Sequence, residues 1–190
     1  MPKYPEALSF LLNRRSRPAK TLAAPYPTRD DLRPILTAAA RTPDHGKLVP
    51  WRFLVLERAA LLRLGAQVQK RGEALGLETA LTEKAAAAFS GSGLAVAVVF
   101  SPKISDKVPE LDQLFSAGAA CLQLLNAALA AGWGANWLSG WPAQDRPFLD
   151  DLGLSPQEQL AGFIHIGSET RTPPERPRPD IDDITTWIYE

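Results

Sequence analysis

Apolar residues recur at helical spacing at Leu8, Leu11 and Leu12 of "EALSFLLNRR", and this pattern predicts a first helix after Pro5 that runs into Arg14 and Arg15. Three prolines in "RSRPAKTLAAPYPT" then interrupt it. Leu32, Ile35, Leu36 and Ala39 give a second helix one apolar face. Thr28 with Asp31 three residues on makes an imperfect capping box at its start, and Pro43 ends it near Arg41 by disfavouring helical geometry at Thr42.

"WRFLVLE" reads as a buried strand, and "GLAVAVVF" at 93–100 is the strongest β segment in the chain. The alanine- and leucine-rich stretch between them predicts two helices split around Gly76. Apolar or small residues at 111, 114, 115, 118, 121, 122, 125 and 129 predict a long core helix. A glycine-punctuated turn and short extended piece, "GWGANWLSGW", follows, then a strand at "QLAGFIHIGS". The proline-rich tail, from about 171 to 190, reads as an extended arm with a short strand at "TTWIY". Helices and strands interleave without repeated βαβ units, so the expectation is a single α+β domain over 1–190, a sheet flanked by helices. Neither a Rossmann glycine fingerprint nor a P-loop is signalled.

Composition narrows the partners. Lysine plus arginine and aspartate plus glutamate balance at 21 each, so no overall field recruits nucleic acid or an anionic membrane, and any anion site is local. The single cysteine, Cys121, excludes an intrachain disulfide framework and a cysteine-rich zinc site, and it fits a reducing cytoplasm. "MPKYPEALSF" carries no signal-peptide run, and no stretch approaches the roughly 18 apolar residues of a membrane span.

Three stretches carry candidate chemistry, each with a plainer reading beside it. "NRRSR" offers guanidinium forks and a hydroxyl suited to phosphate, or merely cations that complement a helix C-terminus. "RTPDHGKLVPW" gathers Arg41, His45 and Lys47 as a polar clamp or a solvated loop. With two histidines and no ligand-spaced companions, it does not read as a metal site, and no serine elbow or exposed thiol signals a nucleophile. In "GWGANWLSGW" the tryptophans either stack on a planar ligand or fill a tight turn.

In this order, "LLNRRS", "RTPDHGKLVPW", "SAGAACLQLLNAALAAGWGANWLSG" and "GFIHIGS" resemble the nitroreductase family of FMN-dependent NAD(P)H oxidoreductases, most closely its small bacterial YdjA-like branch, over Pro5 to about Arg178. The resemblance implies a nitroreductase-like fold with a mostly antiparallel sheet, built as an intertwined homodimer with FMN at the subunit interface. It implies that Arg14, Arg15 and Ser16 grip the FMN phosphate and ribityl chain, and that Arg41 and His45 reach the flavin from the other subunit. It further implies that Trp137, Leu138 and Ser139 line the flavin, with Arg176 and Arg178 as the candidates for a tail cation near the phosphate. Two departures stand out: Gly46 to Val49 replace the serine-asparagine-glutamine run of many larger members, and Leu138 stands where a relative carries a basic residue.

The implied activity is ping-pong transfer of hydride from NAD(P)H through FMN to a nitroaromatic, a quinone or a similar small acceptor. Bound flavin carries the redox chemistry, so no side chain is needed as acid or nucleophile. Arg41, Lys47 or backbone amides are open as donors to the reduced ring. A flavin store or sensor without turnover is the alternative.

Overall fold

Strand β3 (Leu94–Phe100) is buried along its whole length, and the rest of the chain is layered around it. The structure is a computed structural model and describes residues 2–189. Around β3 the elements run in the order α1 (Pro5–Asn13), β1 (Leu22–Ala23), α2 (Arg29–Ala39), β2 (Trp51–Glu57), α3 (Arg58–Ala74) and α4 (Thr79–Ser90). After it come α5 (Glu110–Ala130), β4 (Gly134–Leu138), α6 (Arg146–Asp151) and β5 (Gln159–Glu169).

The sheet order is β1-β5-β3-β2, with β4 also paired to β5, and every pairing is antiparallel. Alternation along β3 divides the core in two. Leu94, Val96, Val98 and Phe100 pack with α2 and α5, whereas Ala95, Ala97 and Val99 pack with α3, α4 and α6. The α+β layout therefore stands as the hydrophobic pattern predicted. The capping box of α2 is complete: the Asp31 N–H donates to Thr28 Oγ1 at 3.2 Å and the Thr28 N–H to Asp31 Oδ2 at 2.9 Å.

Helix α5 corrects the expected core face. Its buried side holds Ala117, Ala120, Cys121, Leu124, Leu125 and Ala128, while Leu111, Leu114, Phe115 and Leu122 point outward. Small residues face the sheet because they let the helix axis approach it closely. With 21 residues and a mean hydropathy of 1.3, α5 also meets the length and composition of a membrane span, contrary to the expectation, although its inner face belongs to the core.

Other differences are smaller. The first helix stops at Asn13, and Arg14 is already extended, with its N–H on the Phe10 carbonyl at 2.7 Å. β2 buries only Trp51 and Leu56, so it is not the fully buried strand its composition suggests. "TTWIY" forms no strand, and the tail carries only a short 3-10 turn at Asp182–Ile184. β1 and α6 are too short to leave a periodic signal.

β2 is tied to the start of β5 by an ion pair. Arg52 grips Glu158 through two hydrogen bonds of 2.7 Å, and Glu158 is nearly buried. The hydrogen bonds from Arg52 hold the Glu158 carboxyl down to about 2, against an ordinary 4.5. Because the folded value is depressed, the stabilisation is complete above about pH 4.5 and disappears as pH falls toward 2. Arg52→Ala is expected to cost about 2 kcal/mol in urea unfolding at pH 7 and much less at pH 3; an equal loss at both would contradict this origin.

Candidate functional site

The segment after α1 runs beside β4, where the Arg17 N–H donates to the Ala135 carbonyl at 2.8 Å. That pairing sets Arg14, Arg15 and Ser16 against Asn136 and Trp137, and the tail returns to bring Arg176 and Arg178 to the same place. The result is a polar groove of about 420 Å³. Its geometry is charged and under-satisfied. Arg14 Nη2 reaches Ser16 Oγ at 3.3 Å, but the buried Arg14 Nε and Arg15 Nη1 have no hydrogen-bond partner.

Burial, then repulsion from Arg178 and Arg17, presses the Arg14 guanidinium below its ordinary value. Glu175 offsets part of this charge, 3.8 Å from Arg15 and 3.1 Å from Arg178, while Arg17 is held by Glu169 at 3.1 Å. Desolvated, mutually repelling guanidiniums are costly in isolation, and a negative group beside them would relieve both costs at once.

The loop from Arg41 to Trp51 lies elsewhere. It is pinned to α5 where Trp51 Nε1 donates to Ser116 Oγ at 3.1 Å and that hydroxyl donates to the Pro43 carbonyl at 2.7 Å. Asp44 accepts from the Leu48 and Val49 N–H groups at 3.2 and 2.8 Å, which holds Gly46, Lys47 and Val49 in left-handed backbone at φ 74°, 56° and 50°. For a β-branched residue such as Val49 this is strained, and strain of this kind collects at functional segments. Arg41, His45 and Lys47 are exposed, and His45 Nδ1 lies 3.2 Å from Asp112 at the start of α5.

Arg14 and Arg15 also line a neighbouring hollow that reaches the other end of that helix, at Leu129. From Asp112 to Leu129 the rise is about 26 Å at 1.5 Å per residue. Within one chain, therefore, the structure brings together Arg14, Arg15, Ser16, Trp137, Arg176 and Arg178, and leaves Arg41, His45 and Lys47 far away.

Leu138 and Ser139 turn out to border a different space. With Gly140 they edge a mainly apolar cavity of about 260 Å³ between α4, the β4–α6 connection and β5. Phe89, Phe163 and Leu81 form its walls, Trp141 and His165 also line it, and so does Lys84, an exposed side chain with no ion-pair partner among the described residues. Trp141 Nε1 and His165 Nδ1 are buried and unpartnered. Burial pushes the His165 imidazole down to about 4, so it is neutral at pH 7. Trp137 is not free to stack over this space: its Nε1 donates to the Ala161 carbonyl at 3.3 Å, and its indole lies against Gly162, where a Cβ would collide with it. Cys121 is buried, and burial pushes its thiol up to about 12, so it is not a nucleophile.

Sequence reasoning missed Lys84, Trp141 and His165 as a group because they come from three separate elements. The available cue was a histidine inside an otherwise apolar strand.

An antiparallel sheet between two helical layers, with an arginine-lined groove beside β4, defines an α+β protein. The "Nitroreductase family" model matches residues 11–168, and the chain belongs to that family. The Escherichia coli (strain K12) protein called "Putative NAD(P)H nitroreductase YdjA" is 35% identical over 163 residues, 86% of this chain and 88% of its own. The fold recurs in a nitroreductase-like family protein from Bacillus cereus, 20% identical with a TM-score of 0.79, over 99% of this chain and 98% of that one. It recurs again in a nitroreductase-type protein from Desulfovibrio desulfuricans in complex with FMN, 22% identical with a TM-score of 0.73, over 97% and 96% of the two chains.

Proposed function

We propose that this chain is an FMN-dependent oxidoreductase of the cytoplasm that oxidises NAD(P)H and reduces an electron-poor acceptor such as a nitroaromatic or a quinone, working as a homodimer with FMN at the subunit interface. The arginine groove is the observation that carries the reading. Arg14, Arg15 and Ser16, with Arg176 and Arg178 from the tail, fit a phosphomonoester: guanidiniums, a hydroxyl and positive charge that Glu175 offsets only in part meet in one place.

FMN, when bound, supplies the redox chemistry, accepting two electrons with the nicotinamide hydride and passing them to the acceptor. The chain's own residues hold and orient it. The groove fixes the phosphate, while Trp137, Leu138 and Ser139 border the path from the groove to the cavity.

The dimer is supported by what one copy leaves uncovered. Leu111, Leu114, Phe115 and Leu122 on α5, Leu8, Leu11 and Leu12 on α1, and Trp187 and Ile188 of the tail all lie in solvent. A second copy would cover apolar surface of this kind. A second copy laid antiparallel along α5 carries its Arg41, His45 and Lys47 toward the first copy's groove.

Purified protein is expected to be yellow, to release flavin on heating, and to oxidise NAD(P)H faster when a nitroaromatic is added. Colourless protein that does not take up FMN would sink the reading. Bound FMN that neither NADH nor NADPH reduces would instead indicate a store or sensor.

A further inference from the structure

The cavity beside β4 has an apolar interior and a charged rim. Helix α4 lines it with Leu81, Lys84, Ala85 and Ala88, a spacing that keeps all four on one helix face. Phe89 and Phe163, packed edge to face with ring centroids 5.0 Å apart, add an aromatic wall. Such walls suit an aromatic ring. A volume of about 260 Å³ lies just under the usual range of roughly 300–1,000 Å³ for ligand pockets, so the space takes one ring and not the three fused rings of a flavin.

Lys84 supplies the rim. It is the one charged side chain lining the cavity, it is exposed, and no acidic group among the described residues pairs with it. Glu83, next to it in the chain, falls off the cavity face. An uncompensated ammonium at the mouth of an apolar pocket complements a ring whose negative group stays at the rim, because carrying that group inside would cost more than the pair returns. The cavity also adjoins the cofactor path of the proposed function. Leu138 to Gly140 edge it, and they follow directly on Asn136 and Trp137 at the arginine groove.

We propose that this cavity seats the acceptor, and that Lys84 selects acceptors of one class: single-ring aromatics carrying a carboxylate, such as a nitrobenzoate. The proposal rests on the FMN reading above. Reduction of the nitro group to nitroso takes two electrons and two protons and releases water. NAD(P)H gives both electrons and one proton as hydride, and solvent gives the other proton.

Para-nitrobenzoate and para-nitrobenzamide differ in charge but hardly in shape, so the ratio of their affinities isolates the contribution of Lys84. Both are measured on the full chain as purified, by equilibrium dialysis without NAD(P)H and by KM in its presence. Wild type is expected to favour the carboxylate, and Lys84→Gln to reduce that preference about fivefold at low salt, the range of an exposed ion pair. Lys84→Glu should reverse it, a change on the order of twentyfold from wild type, and about 1 M salt should remove most of the preference. The effect falls on KM and not on kcat, since the ammonium holds the ring and touches no reacting atom. Lys70→Gln, at an exposed lysine of α3 that does not line the cavity, is expected to keep the wild-type ratio. Ala88→Phe fills the space and is expected to weaken both ligands about tenfold or more.

Equal ratios in wild type, Lys84→Gln and Lys84→Glu overturn the proposal and leave the FMN reading in place, as does unchanged binding in Ala88→Phe. A chain that takes up no FMN overturns both, whatever dialysis shows. If Ala88→Phe does not fold, the substitutions at exposed Lys84 still decide the question.

Discussion

Arg14→Ala is expected to lower FMN affinity by about a hundredfold while leaving the flavin-free protein at least as stable as wild type. Hydrogen bonds to an ionised partner contribute about 1.5–3 kcal/mol each, and Arg14 has a buried donor, Nε, with nothing to satisfy it in the chain itself. In the flavin-free protein that guanidinium is desolvated and repelled by Arg178 and Arg17, so its removal relieves repulsion and breaks only one long hydrogen bond, 3.3 Å to Ser16. The two effects have opposite signs, which makes the result diagnostic. A cation placed only to complement the end of α1 would give a loss of stability and no change in FMN.

Arg14→Lys should fall between, since it restores charge without the planar fork. Arg17→Ala is the internal control. Arg17 is already paired with Glu169, so its loss should weaken FMN far less than that of Arg14. Fluorescence titration and urea melts measure both quantities; a wild-type affinity in Arg14→Ala would remove the main support for the proposed function.

The parts of this site differ in how openly the sequence displays them. Arg14, Arg15 and Ser16 are adjacent in the chain, so their shared chemistry is visible without a fold. Arg176 and Arg178 join them only because the tail doubles back past the end of β4, a path no local pattern encodes. The strands at Trp51, Leu94 and Gln159 were legible because apolar β-formers dominate them, and the helix split at Gly76 because its φ of 64° suits glycine.

The inner face of α5 was not legible. The helix is apolar or small nearly all the way round, so periodicity does not choose a side, and the larger residues read as core by size alone. Packing density chose instead: alanines and Cys121 fit against the sheet, and Leu111, Leu114 and Phe115 remain for another surface. The same misreading affects β2, whose outward residues look like core residues until the layer that would cover them is found missing within one chain. In both places large apolar residues stay outside the core of the single chain, the surface that the proposed dimer would cover.

That surplus, together with the separation of the two polar clusters along α5, makes mixed dimers the most demanding test of the proposed assembly. Arg41→Ala/His45→Ala is expected to lose FMN although neither residue lies near the arginine groove of its own chain. His45→Ala alone should loosen FMN more than it slows reduction of the flavin that stays bound, if His45 holds the ring as proposed and does not move a proton. If each site takes its groove from one subunit and its 41–47 loop from the other, Arg14→Ala and Arg41→Ala/His45→Ala homodimers both lack intact sites. Co-expression of the two variants then generates, in each mixed dimer, one site carrying every substitution and one carrying none. With random pairing about a quarter of all sites are intact, and bound flavin should recover to that level. A site contained within one chain has no such route back: each subunit keeps its own lesion, and the mixture stays as empty as the two parents.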